Sequence, residues 1–268
     1  MKISKRAVFA VLIVLVIAVA VISLVFTDSN KSTVTVKDEL LTGLEPMGKC
    51  LYVYGGGWNE EDTGAGKETV TKGLSSQWEK FYNENDSDYD FETTRYQIHN
   101  GLDCTGYVGW IMYQLFGDKY SKDGYVFSSS AVAENYSSIF GSTIIPREEV
   151  KNRKSGDVMA TEGHVYIVVG QCDDGSVVIM HASVPSVSLS GTADKNGNPD
   201  SEAAKLAKQY MEKYFPEEAA RYKNYLRDNM DYLKNYDEIV WKDTVLSDPD
   251  NYRKISAEEI LEDLFENR

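Results

Sequence analysis

Two β-branched runs in the second half of the chain constrain its fold more than any other feature. His164-Val165-Tyr166-Ile167-Val168-Val169-Gly170 and Ser176-Val177-Val178-Ile179-Met180-His181-Ala182-Ser183 are bounded by Gly and Asp and read as adjacent antiparallel strands. With Gly170 to Gly175 as the connecting loop, Val169 stands opposite Ser176 and His164 opposite His181 on one face. Their Cα atoms are then about 4.5–5.5 Å apart. A two-residue turn at Asp174-Gly175 keeps both histidines on that face but offsets them. The sequence has 3 histidines, so two of them meeting on neighbouring strands is a signal for chemistry. Taken alone, they read as satisfied strand histidines.

The second signal lies upstream, in Gly101-Leu102-Asp103-Cys104-Thr105-Gly106-Tyr107-Val108-Gly109-Trp110-Ile111-Met112-Tyr113. Asp103 suits a helix N-cap, and Val108, Ile111, Met112 and Leu115 recur at helical spacing. Gly117 falls where a C′ glycine belongs. Cys104 is then in the first helical turn, where the macrodipole and free backbone N–H groups favour the nucleophilic thiolate. The bland alternative is a small buried hydrophobe, as most free cysteines are. Gly106 and Gly109 let this helix sit close against the strands.

Composition narrows the function. Lys and Arg number 28 against 42 Asp and Glu, a formal net charge of −14. No basic run follows the first six residues. Nucleic acid and anionic membrane surfaces, which need clustered Lys and Arg, are poor partners for such a chain. Cys50, Cys104 and Cys172 are too few for a disulfide scaffold, and no Cys-x-x-Cys pair exists for a structural zinc site. No metal or cofactor is expected. Cys50 and Cys172 form a bridge or all three thiols are free; spacing does not decide.

At the N-terminus, Lys2, Lys5 and Arg6 precede an uncharged apolar run from Ala7 to Phe26. As a helix it is about 30 Å long, the hydrocarbon thickness of a bilayer. It exceeds the apolar region of a signal peptide and ends in Leu24-Val25-Phe26, a poor cleavage site. Residues 1–26 therefore read as a transmembrane signal anchor, with a cleaved signal as the alternative. The leading positive charges keep the N-terminus in the cytoplasm and place the rest outside, as a single-pass cell-membrane protein. Residues 27–46 read as a tether with a helical piece at Lys37–Leu44.

Cys50-Leu51-Tyr52-Val53-Tyr54-Gly55-Gly56-Gly57 is aromatic and then glycine-rich, without the Lys-Ser/Thr of a phosphate loop. Residues 58–100 lack a strand signal but allow a helix over Thr69–Asn83, with Leu74, Trp78 and Phe81 on one face. A short helix is expected at Ser130–Phe140. After Ser190, Ser201–Phe215 and Glu217–Asn235 read as long helices separated by Pro216. Ser256-Ala257-Glu258-Glu259 is a capping box opening a last helix. Tyr210, Tyr214, Tyr222, Tyr225 and Tyr232 read as an aromatic packing seam, with a substrate-stacking surface as the alternative.

A thiol nucleophile needs a stabilised thiolate, a base within reach and a group that orients the base. Cys104, His164 and His181 fill these roles in order. The Cys104 backbone N–H and the Tyr52 hydroxyl are candidate oxyanion donors. His99, in a polar loop, is the rival partner for the cysteine.

Asp103-Cys104-Thr105-Gly106-Tyr107-Val108 resembles the Asp-Cys-Ser-Gly-Phe-Val signature of NlpC/P60 cysteine peptidases. Tyr52-Val53-Tyr54-Gly55-Gly56 is similar to that family's Tyr-x-Trp-Gly-Gly segment. Gly156-Asp157 with His164-Val165-Tyr166-Ile167 resembles its Gly-Asp…His-Val-Gly-Ile segment, and Met180-His181-Ala182-Ser183 its Ile-His-Ala strand. The likeness covers about Cys50 to Ser190, with Thr105 in place of Ser and 46 residues (57–102) where the family has a short loop. Gly163-His164-Val165 also resembles the related CHAP amidases.

The resemblance implies an α+β, papain-like core in residues 47–190, with the Cys-bearing helix packed on an antiparallel sheet. An insertion at about 58–100, the N-terminal transmembrane helix and a C-terminal helical extension (191–268) are added to it. It implies hydrolysis of amide bonds in peptidoglycan stem peptides, typically between D-γ-glutamyl and a diamino acid. Cys104 is then the nucleophile, His164 the base, His181 the orienting residue, and Tyr52 and Asp103 the substrate and oxyanion side. The alternatives are a peptidoglycan amidase or acyltransferase on the same fold, or a non-catalytic cell-surface interaction module.

Overall fold

A computed structural model describes residues 33–223, 225–229 and 231–267. Its strands are β1 Leu51–Tyr52, β2 Gly101–Leu102, β3 Thr143–Ile145, β4 Val158–Thr161, β5 His164–Gln171, β6 Val177–Ser183, β7 Ser186–Thr192, β8 Leu226–Arg227 and β9 Asp237–Val240. Its α-helices are α1 Val36–Leu44, α2 Ser76–Glu84, α3 Cys104–Phe116, α4 Val132–Phe140, α5 Glu202–Tyr214, α6 Pro216–Tyr222, α7 Asp231–Lys234 and α8 Ala257–Glu266. The strands join one sheet in the order β2-β1-β7-β6-β5-β4-β9-β3, with β8 beside β7.

The β4–β7 meander is the centre. Its period-two alternation divides two cores. Val158, Ala160, Val165, Ile167, Val169, Val178, Met180 and Ala182 face the main core, with Tyr107, Val108 and Ile111 of α3 and Val36 and Leu40 of α1. Met159, Tyr166, Val168, Val177 and Ile179 face a smaller core closed by Tyr236. Asp103 caps α3 and Thr35 caps α1 in a capping box.

Several expectations are corrected. The expected transmembrane helix at Ala7–Phe26 lies outside the described residues. Among the described residues no helix is long and apolar enough to cross a membrane. The sheet is mixed, because β1 pairs with β2, and β7 with β8, in parallel.

Residues 191–268 are not a helical extension. The helical pair Glu202–Tyr214 and Pro216–Tyr222 stops at Tyr222, and two strands, Leu226–Arg227 and Asp237–Val240, follow before the last helix. The β-branched Ile239 and Val240 then place β9 inside the sheet, between β3 and β4. The tyrosines form no single seam. Tyr210 and Tyr214 pack on Phe265 of α8, Tyr222 meets Tyr82 of α2, and Tyr232 goes to the histidines. The stretch read as a tether supplies α1, with Val36 and Leu40 fully buried.

The β5–β6 register also differs. Ile167 pairs with Met180 and Val168 with Ile179, and the ladder shifts before Gly170–Val178. The shift is a bulge whose glycine leaves room for α8, since a Cβ at Gly170 would stand 2.8 Å from the Ala257 Cα. One step beyond the Ile167–Met180 pair, His181 stands across from Tyr166, so the two histidines are diagonal neighbours on one face.

The 58–100 segment packs on α3. Trp78 meets Trp110 edge-on at 5.9 Å, and Lys72 donates to the carbonyls of Tyr113 and Gln114 at the C-terminus of α3.

Candidate active site

Asp103 Oδ1 accepts from the Gly106 N–H at 2.7 Å and from the Thr105 hydroxyl at 2.9 Å, which starts α3 at Cys104. Thr105 Oγ1 accepts from the Trp58 indole at 3.0 Å. The glycine-rich segment after β1 lies directly on this first turn. A Cβ at Gly106 would stand 2.1 Å from the Gly56 carbonyl oxygen. Gly109 leaves room for Tyr125 and Val126. The two helix glycines thus admit loops, where the sequence pointed to the strands.

Tyr52, Tyr54, Trp58, Ser128, Ser129 and Gly163 surround Cys104 in an open groove of about 240 Å³. Cys104 is 8% exposed, and its Sγ lies 4.0 Å from the Gly163 carbonyl, which accepts from it. Burial pushes this thiol up to about 12, and the Asp103 carboxylate adds to the rise. The backbone N–H groups of Val165, Thr105 and Cys104 favour the thiolate but do not win. The macrodipole argument fails here chiefly because burial disfavours the thiolate, and secondarily because the N-cap carboxylate puts a negative charge beside the sulfur. Burial also raises Asp103 itself to about 6.

His164 Nε2 and His181 Nδ1 share a hydrogen bond of 2.9 Å, with ring centroids 5.1 Å apart. His181 Nε2 lies 3.2 Å from Ser190 Oγ on β7. Tyr232 and Tyr236 flank His164 edge-on at 5.8 and 6.3 Å. Burial, helped by the charge of Arg227, holds His164 down at about 3 and His181 well below its ordinary value. Both rings are neutral near neutral pH. His164 Nε2 is engaged with His181, which leaves Nδ1 for other chemistry.

Cys104 and His164 share no hydrogen bond. Val165 faces the core that holds Cys104, so the adjacent His164 turns toward Tyr166. The two residues approach at the rim of the β4–β5 hairpin. There Gly163 touches the sulfur, and charge on Cys104 is felt by Tyr232 and Tyr236, the rings flanking His164.

Tyr52 lines the groove and packs edge-on against Phe91 at 5.8 Å. Burial, then the charges of Cys104 and Asp103, raise its hydroxyl, so it stays a neutral donor. His99 is elsewhere, 2.7 Å from Glu68 Oε1. All three cysteines are free thiols. Among the described residues no group of three or more His, Cys, Asp and Glu could hold a metal ion.

Sequence reasoning missed Trp58, Ser190 and Tyr236, and it read Tyr232 as part of a packing seam rather than as a neighbour of the histidines. Trp58 directly follows the glycine triplet, a signal that was available. Tyr232 was hidden in what read as a helix over Glu217–Asn235, and Tyr236 directly follows that stretch.

The groove thus offers a buried thiol at a helix N-terminus, a neutral histidine pair beside it and a phenol donor. No family model, no curated protein and no solved structure matches the chain.

Proposed function

We propose that the protein is a cysteine hydrolase of amide bonds in peptidoglycan stem peptides, as its resemblance to NlpC/P60 peptidases implies. The observation that carries this reading is Cys104 in an open groove with its sulfur against Gly163, the residue before a hydrogen-bonded His164–His181 pair. In the proposed reaction the Cys104 thiol turns from the Gly163 carbonyl to His164 Nδ1 and gives up its proton as sulfur adds to the substrate carbonyl carbon. Tyr52 and the Cys104 N–H donate to the oxyanion. The C–N bond then breaks, and His164 returns the proton to the leaving amine. Water, giving its proton to His164, adds to the thioester carbonyl; the C–S bond then breaks, and His164 returns that proton to the Cys104 sulfur.

The test is digestion of defined muropeptides by the full chain, with products read by mass spectrometry. Peptide fragments from the parent and none from Cys104→Ala support the reading, and identical products sink it. A second reading, a non-hydrolytic surface module, draws on the missing Cys104–His164 hydrogen bond. It predicts intact muropeptides from both proteins.

A further inference from the structure

Ser188 and Ser190 are fully buried on β7, on the face opposite Val187 and Leu189 of the main core. Buried hydroxyls cost free energy unless they are hydrogen-bonded. Ser190 has a partner in His181: its Oγ lies 3.2 Å from Nε2 and 3.4 Å from Ser188 Oγ. The strand register makes this contact. His181 stands opposite Ser188 and Ile179 opposite Ser190, so Ser190 is the diagonal neighbour of His181 on β7. His164 is its diagonal neighbour on β5. The three side chains form one line across β5, β6 and β7, joined by the 2.9 Å contact between His164 Nε2 and His181 Nδ1.

Proton counting leaves two arrangements of that line. Each neutral ring carries one N–H, and the contact between the rings holds one proton. In the first, both rings are protonated at Nε2, His164 donates to His181, and His181 donates to Ser190. In the second, both are protonated at Nδ1, Ser190 donates to His181, and His181 donates to His164. The two differ at the ends of the line. Among the described residues His164 Nδ1 has no hydrogen-bond partner. In the second arrangement it is an N–H without an acceptor, the kind of orphan that folded proteins avoid most. In the first it is a lone pair, able to take a proton. Ser188 Oγ can accept the proton that Ser190 then turns away from His181.

We infer that Ser190 is a positioning residue: by accepting the His181 Nε2–H it fixes both imidazoles as Nε2–H tautomers and leaves His164 Nδ1 as the base of the site. The catalytic use of that base rests on the hydrolase reading; the tautomer does not.

The test is nitrogen NMR of the full chain with isotope-labelled histidine. Long-range proton–nitrogen correlations show which ring nitrogen is protonated. The sequence has 3 histidines, and His99→Gln removes the one beside Glu68, so the two remaining rings are His164 and His181. Both are expected to be protonated at Nε2 near pH 7. Ser190→Ala removes the acceptor and should move both rings toward Nδ1–H, while Ser190→Thr, which keeps the hydroxyl, holds the parent pattern. In muropeptide digestion Ser190→Ala should lower kcat about tenfold and leave KM within about twofold, the size of one lost buried hydrogen bond. A packing role alone would shift the melting temperature and leave the tautomers unchanged. Nδ1–H rings in the parent, unchanged tautomers in Ser190→Ala, or the alanine pattern in Ser190→Thr overturns the proposal. The parent spectrum tests the tautomer without any variant at position 190. Nε2–H rings that respond to Ser190→Ala in a chain that releases no peptide keep the Ser190 assignment and remove the hydrolase. Peptide release by a chain with Nδ1–H rings removes the Ser190 assignment alone.

Discussion

Gly106→Ala tests the contact on which the groove is built. An added Cβ would stand 2.1 Å from the Gly56 oxygen, about 0.9 Å inside the 3.0 Å that such contacts respect. The obstacle is backbone, and it is fixed, because the same oxygen accepts the Asp103 N–H at 2.9 Å. Alanine gains roughly 1 kcal/mol over glycine in helix propensity. Overpacking a close contact costs roughly 1–3 kcal/mol, and a clash with backbone on both sides belongs in the upper part of that range. The net expectation is a loss of about 1–2 kcal/mol in spite of the better helix former. Urea unfolding of the full chain, followed by tryptophan fluorescence, reads this as a lower midpoint at unchanged slope. A midpoint equal to or above that of the parent would refute the seating of the glycine-rich segment on the first turn of α3.

Three further outcomes are expected. Iodoacetamide should label Cys104 slowly near pH 7 and faster only well above it, because burial and Asp103 hold the thiol at about 12; rapid labelling near pH 6 contradicts this. Glu39 is fully buried with neither carboxylate oxygen hydrogen-bonded, and burial, with the charge of Asp157, holds it well above its ordinary 4.5. Its contribution to stability is therefore full below pH 4.5 and is lost as pH rises toward the folded value, so Glu39→Gln should melt higher than the parent near pH 7 and show a flatter slope above pH 4.5. His164 has the opposite sign, since its folded value is lowered. Its contribution is present above pH 6.5 and lost as pH falls toward about 3, so His164→Gln should flatten the acid limb of a melting-temperature profile, and an unchanged limb refutes its buried neutral state.

The sequence carried the parts of this fold that depend on local chemistry. The Asp103 cap, the Ser256 capping box, the helix ending at Phe140 and the strands around residues 164–183 all have short-range signals. The two histidines share a face for the same reason, since alternation survives any even shift of register. The exact pairing was not legible, because the bulge before Gly170 answers to Ala257, almost ninety residues away. The 191–268 region was misread for a related reason. Tyr, Lys and Glu give the stretch after Glu217 a helical pattern, but strand β9 is decided by its neighbours β3 and β4. The candidate site was legible as a set of residue types. Which atom meets which was not, because the approach of Cys104 to His164 depends on the seating of the β4–β5 hairpin, whose Gly163 carbonyl lies against the sulfur.

The protonation state of the resting site follows from burial rather than from the helix dipole. Burial raises the thiol to about 12 and lowers His164 to about 3, so both shifts keep the proton on sulfur. A preformed thiolate–imidazolium pair is disfavoured twice, because each charge would lie in a low-dielectric setting with Asp103 beside one and Arg227 near the other. If Cys104 is a nucleophile, its proton must move to His164 as the carbon–sulfur bond forms, when the developing negative charge passes to the oxyanion and its donors. That proton is in flight in the acylation transition state. The expected signature is a normal solvent deuterium isotope effect on kcat/KM with a peptide substrate. A ratio at or below unity would mean that the ion pair forms before attack, and that substrate or a movement of the β4–β5 hairpin overcomes the burial.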